Sequence, residues 1–186
     1  MLKQGNTIST LTAFKKYVIQ QARTNLSKGK KNFSRELYDS LDGKVTFDDT
    51  RVNIDFTMEE YGLYQDKGVK GVKSNYVENR DTPFSYKTSS NLIGVEAATG
   101  KLGNWAKSKR LRFRDVKGRY LSYKSIGFIL ANSIKNKGIK ASMFFTKPFK
   151  KAFENLDEDL REAYGKDVVD FLESSLRKVD IKSKKV

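Results

Sequence analysis

An α+β fold, with helices packed on a small antiparallel β-hairpin, a long loop or insertion and a long C-terminal helix, is predicted by the patterning of apolar residues. Either side of Asp48-Asp49-Thr50, two short runs alternate apolar and polar side chains, as strands with one buried face do. Ile8, Leu11, Phe14, Val18, Ala22 and Leu26 recur instead at three- and four-residue steps, the spacing of one helix face. A later apolar series, from Phe149 to Leu176, keeps helical spacing nearly to the lysine-rich end.

The elements follow in order. Residues 8–26 form an amphipathic helix, which Ser27-Lys28-Gly29-Lys30-Lys31-Asn32 ends with glycine and cations. Ser34 is the N-cap of a short helix through Leu41, closed by Asp42-Gly43. In the hairpin, Val45 and Phe47 share a face with Val52, Ile54 and Phe56, and that face must pack on a helix. Met58 to Lys67 return to helix before a glycine turn at Gly68-Val69-Lys70-Gly71, glycine being the residue that tolerates positive φ. Residues 72–104, rich in Ser, Asn, Thr and Gly, show no sustained period and read as a long functional loop or insertion. Lys109 to Arg114 alternate strictly, placing Leu111 and Phe113 inward and Arg110, Arg112 and Arg114 on the opposite side of a strand. Leu121 to Lys135 regain helical spacing through Ile126, Ile129, Leu130 and Ile134, ended by Gly138. Thr146-Lys147-Pro148 starts the last helix, with threonine as N-cap and proline in the first turn.

The organisation expected is a basic N-terminal helix or arm over 1–32, one domain over 33–178 and a basic tail over 179–186, whose Lys182-Ser183-Lys184-Lys185-Val186 reads as disordered rather than as a docking tail. At 186 residues, 38% of them hydrophobic, the chain buries only a modest core. No apolar run approaches the roughly 18 residues of a membrane span. Met1 to Asn6 lead into no signal-peptide core, so secretion is not expected. Without cysteine there are no disulfides or thiolate metal sites, and without histidine no Ser-His or Cys-His nucleophile pair. Only carboxylate sites for hard cations remain; Asp48 and Asp49 with Asp55 read as turn chemistry, and Asp157-Glu158-Asp159 as a solvated helix face. Gly68 to Ser74 lack the spacing and the Gly-Lys-Ser junction of a P-loop. No catalytic residue, metal or cofactor is assigned.

Charge says more about partners. The net charge of +15 is unevenly spread: residues 1–32 carry seven cations and no acid, residues 33–60 a net −5, and residues 100–124 nine cations against Asp115 alone. Such patches attract polyanions or acidic protein surfaces. The candidate channel or partner interface is therefore Lys107, Lys109, Arg110, Arg112, Arg114, Lys117 and Arg119, with Trp105 as an exposed aromatic or an interface anchor. The arginine strand has three readings: facing DNA, facing an acidic neighbouring protein, or solvated. Phe144, Phe145, Phe149 and Phe153 fall at helix-entry and core spacings, which assigns them to packing rather than to a base-stacking platform.

Taken in order, these segments resemble the tail-completion, or head-tail connector, proteins of long-tailed bacteriophages. Leu37-Tyr38-Asp39-Ser40-Leu41 looks like that family's short helix before the hairpin, and Tyr61 to Gly71 like its aromatic helix and Asp-x-Gly-x-x-Gly corner, carried here by Tyr61, Tyr64, Asp66, Gly68 and Gly71. Ile129 to Lys140 look like the penultimate helix and its exit, and Phe144 to Phe149 like the start of the final helix. The resemblance covers most of residues 34–178; residues 72–104 and the basic strand depart from it. It implies a structural virion protein without enzymatic activity. Such a protein assembles in the host cytoplasm into a homo-oligomeric ring, a hexamer or larger, in the phage neck. It joins portal and adaptor proteins to the tail tube and can contact genomic DNA nonspecifically, with no membrane partner. The alternative is a nonspecific nucleic-acid-binding module.

Overall fold

The computed structural model describes residues 5–29, 35–47, 52–79 and 81–183, with side chains as far as Leu176. The Asp48-Asp49-Thr50 turn, Lys30 to Ser34 and Lys184 to Val186 lie outside the described residues. The fold is α+β, and the chain divides into two compact units, residues 1–62 with 143–186, and residues 63–142.

The first unit is built on two helices, α1 (Gly5–Lys28) and α7 (Thr146–Ser183). The face predicted for α1 is the face it buries, with Val18, Ala22 and Leu26 fully enclosed. The helices run antiparallel: Asn6 and Thr7 bond to Asp167 at one end, and Asn25 Nδ2 donates to the Phe144 carbonyl at the other. α2 (Glu36–Ser40) precedes a hairpin of β1 (Asp42–Phe47) and β2 (Val52–Thr57), paired from Asp42 opposite Thr57 to Phe47 opposite Val52. Val45, Val52, Ile54 and Phe56 pack on Leu11, Phe14, Val18 and Leu156. Phe56 meets Phe14, Phe145 and Phe149 edge to face, with ring centroids 5.2–6.3 Å apart. A second cluster joins Ala22, Leu26, Leu37, Leu41 and Phe144.

Residues 1–32 thus contain the unit's spine rather than a detached arm, because a helix with an enclosed apolar stripe has to be covered along its length. Asp42-Gly43 belong to β1 instead of closing α2. Gly43 lies against the Lys15 stem, where a Cβ would stand 2.9 Å from Cγ. α7 begins with Thr146 already helical and extends to Ser183, into the stretch expected to be disordered. Phe153, assigned to packing, stacks on Phe149 yet is 59% exposed.

The second unit holds α4 (Leu92–Thr99), α5 (Lys101–Ser108) and α6 (Tyr123–Lys137), together with a two-residue sheet of β3 (Val69–Lys70) and β4 (Gly138–Ile139); α3 (Tyr61–Lys67) leads into it. Of residues 72–104, read as a loop or insertion, the described residues up to Asn91 are irregular apart from a 3-10 turn at Val77–Asn79 and a bridge at Ser85, whereas the remainder holds all of α4 and the start of α5. α4 escapes recognition because it is eight residues long and inverted, burying Glu96 while Val95 faces water. The Glu96 carboxylate accepts the Leu102 and Gly103 amides at 2.8 Å each, supplying the partners that the first turn of α5 lacks. Gly127 of α6 leaves room for that carboxylate, which a Cβ there would strike. α6 is capped by Ser122, whose hydroxyl accepts the Ser125 amide at 3.1 Å. It buries Ile126 and Ala131, whereas Ile129, expected inside, is exposed.

Candidate functional site

The basic segment forms a protruding turn. α5 ends in a pair of bonds, Arg110 N–H to the Lys107 carbonyl and Leu111 N–H to the Ala106 carbonyl, with Arg110 in the left-handed region at φ 54° where glycine usually stands. Lys109 and Arg110 therefore terminate a helix instead of opening a strand. The chain then folds back on itself: Leu121 N–H donates to Phe113, Asp115 N–H to Arg119, and Arg114 bridges Tyr120. The tip, Asp115-Val116-Lys117-Gly118, carries aspartate first and glycine fourth, the chemistry of a tight turn. The predicted alternation survives within it, Leu111 and Phe113 half-buried and Arg112 and Arg114 exposed, although no extended strand runs through 109–114.

Two tyrosines organise the cations. The Arg112 guanidinium lies over the rings of Tyr120 and Tyr123, 5.6 and 5.3 Å from their centroids, and Arg114 lies 4.3 Å from that of Tyr120. Arg114 also donates to the Gly118 carbonyl at 3.1 Å and to Tyr120 Oη at 2.8 Å. Asp115 is occupied internally: it accepts the Lys117 and Arg119 amides at 2.9 Å each and pairs with Arg119 Nε at 3.0 Å. The Arg119 amide, with the guanidinium and the Lys117 amide, holds its carboxyl below the usual aspartate value against a smaller upward push from desolvation. Arg119 is thereby a turn residue. Lys107 and Lys117 are exposed beside the arginines, as is Lys109 at the end of α5, and Trp105 is half-buried on that helix rather than fully displayed. Tyr120 and Tyr123 are the members that sequence reading missed; the signal was Arg-x-Arg followed after a turn by two tyrosines three residues apart.

The glycine corner is an internal knot. Gly68 has φ 73° and is closely approached by Asn79 Oδ1, while a Cβ at Gly71 would strike the Asn136 carbonyl. Asn79, fully buried, donates to the Val69 and Ile139 carbonyls at 2.9 and 2.7 Å and accepts the Ala141 amide at 2.8 Å. Thr82 Oγ1 donates to Gly68 at 2.8 Å. Asp66 is buried in the same corner, Tyr61 is exposed, and Tyr64 sits edge-on to Phe84 at 4.6 Å. Asn79 and Thr82 gave no sequence signal, lying in a stretch without period.

In the first unit, α7 leaves apolar side chains uncovered beyond the point where α1 begins: Val169, Leu172 and Leu176 are each more than half exposed, and Phe171 lies beside them. Asp167 is buried there, accepting both the amide and Oγ1 of Thr7 and both the amide and Nδ2 of Asn6 at 2.7–3.0 Å. Burial pushes its pKa up, but these bonds outweigh it and hold the carboxyl below the ordinary value. Two open grooves flank α1. One, of about 610 Å³, is lined by Phe14, Tyr17, Lys151 and Leu156; the other, of about 620 Å³, by Lys15, Lys16, Arg23 and Tyr38. Arg23 is committed to the Tyr38 and Leu41 carbonyls. Asp157 pairs with Arg161 on the exposed face of α7. Among the described residues no group of three carboxylates is placed to hold a metal ion, and no helix is long and apolar enough to cross a membrane. In comparison with known proteins, the chain matches no family model, no curated protein and no solved structure.

Proposed function

We propose that the chain is a non-enzymatic structural protein of a bacteriophage neck, of the tail-completion or head-tail connector type. It forms a homo-oligomeric ring that joins the portal and adaptor proteins to the tail. The observation that carries the reading is the uncovered apolar stripe on the distal part of α7. Among the described residues the last bond from α1 to α7 is at Asp170, and the helix runs on from there to Ser183, roughly 20 Å at 1.5 Å per residue. A helix that exposes Val169, Leu172 and Leu176 together is incomplete alone. In a ring, every subunit supplies the same helix and has the same need, so one contact repeated around the axis covers them all. The order of elements adds support: short helix, hairpin, aromatic helix, glycine corner, penultimate helix and long final helix follow as the resemblance requires.

Two measurements test the reading. Native mass spectrometry of the purified chain should give a closed oligomer that dissociates in Leu172→Asp with Leu176→Asp. Quantitative mass spectrometry of nuclease-treated particles should give one ring per portal. A strictly monomeric chain that is also missing from particles overturns the proposal.

A further inference from the structure

We propose that the turn between Leu111 and Tyr123 is a sequence-independent binding site for the phosphate backbone of duplex DNA. The site rests on this turn alone and holds equally for a ring subunit and for a free protein.

Residues 100–124 present nine cations and one acid, and that acid, Asp115, is consumed by two amides and by Arg119. The side chains of this segment therefore present an excess of cations. Phosphodiester oxygens are acceptors only and come at close spacing along the duplex, so they match such a surface at every step.

The arginines are also pre-positioned. Contact with Tyr120 and Tyr123 holds the Arg112 guanidinium, and Tyr120 with the Gly118 carbonyl holds that of Arg114, which keeps N–H groups beyond those two bonds, so less side-chain freedom is lost when a phosphate binds. The same stacking tells duplex from single strand. A single-strand platform needs open aromatic faces. Here Tyr120 is approached by two guanidiniums and Tyr123 by one, so the rings serve the arginines rather than bases. The tip is open to solvent, with Val116 wholly exposed, which suits an extended backbone better than an enclosed small anion.

The test is fluorescence anisotropy of a labelled random-sequence duplex of about 30 base pairs, titrated with the full chain between about 50 and 200 mM salt. Arg112→Ser with Arg114→Ser should lower the slope of log K against log salt by about 2 per subunit, since each lost phosphate contact removes about 0.9. Lys150→Ser with Lys151→Ser, an equal charge change on α7, should leave the slope near wild type. Tyr120→Leu keeps the net charge and should still weaken binding several-fold, because the arginines lose their platform. The proposal is overturned if the arginine and lysine pairs lower the slope equally, if single-stranded DNA binds more tightly than duplex, or if polyglutamate binds and duplex does not. A failed ring shows in native mass and a failed DNA site in the salt slope, so the two are read separately.

Discussion

Replacing Asn79 with alanine tests whether one side chain holds the corner of the second unit together. Asn79 satisfies the Val69 and Ile139 carbonyls and the Ala141 amide, all at 2.7–2.9 Å, from a position with no exposure. A buried backbone group left without its partner costs about 1–3 kcal/mol, so orphaning this set costs about 3 kcal/mol even at the low end. The pairing it supports is only two residues deep on each strand, leaving little to compensate. Because the chain has two units, a single melting temperature would mix events, and native-state hydrogen exchange is the better assay. The reporters are the Lys70 amide, bonded to Phe84, and the Tyr86 amide, bonded to Lys70, neither of which touches Asn79 directly. A loss of about 3 kcal/mol lowers their protection roughly 100-fold, at 1.4 kcal/mol per tenfold. Asn79→Asp keeps the acceptor for Ala141 but turns a carboxylate toward two carbonyl oxygens. It should be at least as damaging at neutral pH and partly recover on acidification, when the neutral acid can donate once. If Asn79→Ala changes protection less than tenfold, the corner is held by something else.

The glycines give a paired test by thermal unfolding: Gly118→Ala meets open space and pays only the left-handed penalty of about 1 kcal/mol, whereas Gly138→Ala also strikes the Val69 carbonyl and should abolish β3–β4 pairing. Arg110→Gly should stabilise the second unit by about 1 kcal/mol, since it relieves a non-glycine left-handed residue at the end of α5; no gain in denaturant melts would mean that the side chain offsets the strain. Asp167 has a depressed pKa in the folded chain, so its contribution is complete above the unfolded value near 4 and is lost as pH falls through the lower folded value. Exchange of the Asn6 and Thr7 amides should accelerate over that acidic window, and in Asp167→Asn it should be fast already at neutral pH and show no such step.

How much was legible follows from which force set each element. α1 and most of the hairpin were readable because their apolar residues face the core, so the sequence period and the packed face coincide at Leu11, Phe14, Val18, Val45, Ile54 and Phe56, whereas Phe47, expected on the same face, is exposed at the end of β1. The second unit was not, because its interior is partly polar. Glu96 is buried to cap α5 and Asn79 to join β3 to β4, and neither adds to a hydrophobic period. Lys109 to Arg114 misled for a different reason. Alternation over six residues cannot separate a strand from a helix end followed by a reversing turn, and the bonds that decide it, from Arg110 and Leu111 back to α5, are backbone bonds without a side-chain signature. The cations at that site were legible by count, but the tyrosines that hold them were not.

The two segments that drew attention in the sequence have different physical work. At the corner, Gly68 and Gly71 are needed because backbone and Asn79 crowd them, so substitutions there remove the fold before they can report on a partner. At the turn, Arg112, Arg114 and Tyr120 are exposed and contact one another locally, so replacing them changes what is presented without emptying a core. The distal face of α7 has the same freedom, since Leu172 and Leu176 meet water in the single chain. The residues proposed for recognition are therefore separate from those that hold the fold. A variant at the turn or on α7 that folds normally and loses DNA affinity or oligomerisation can be read as a change in recognition, a reading that no substitution at the glycine corner allows.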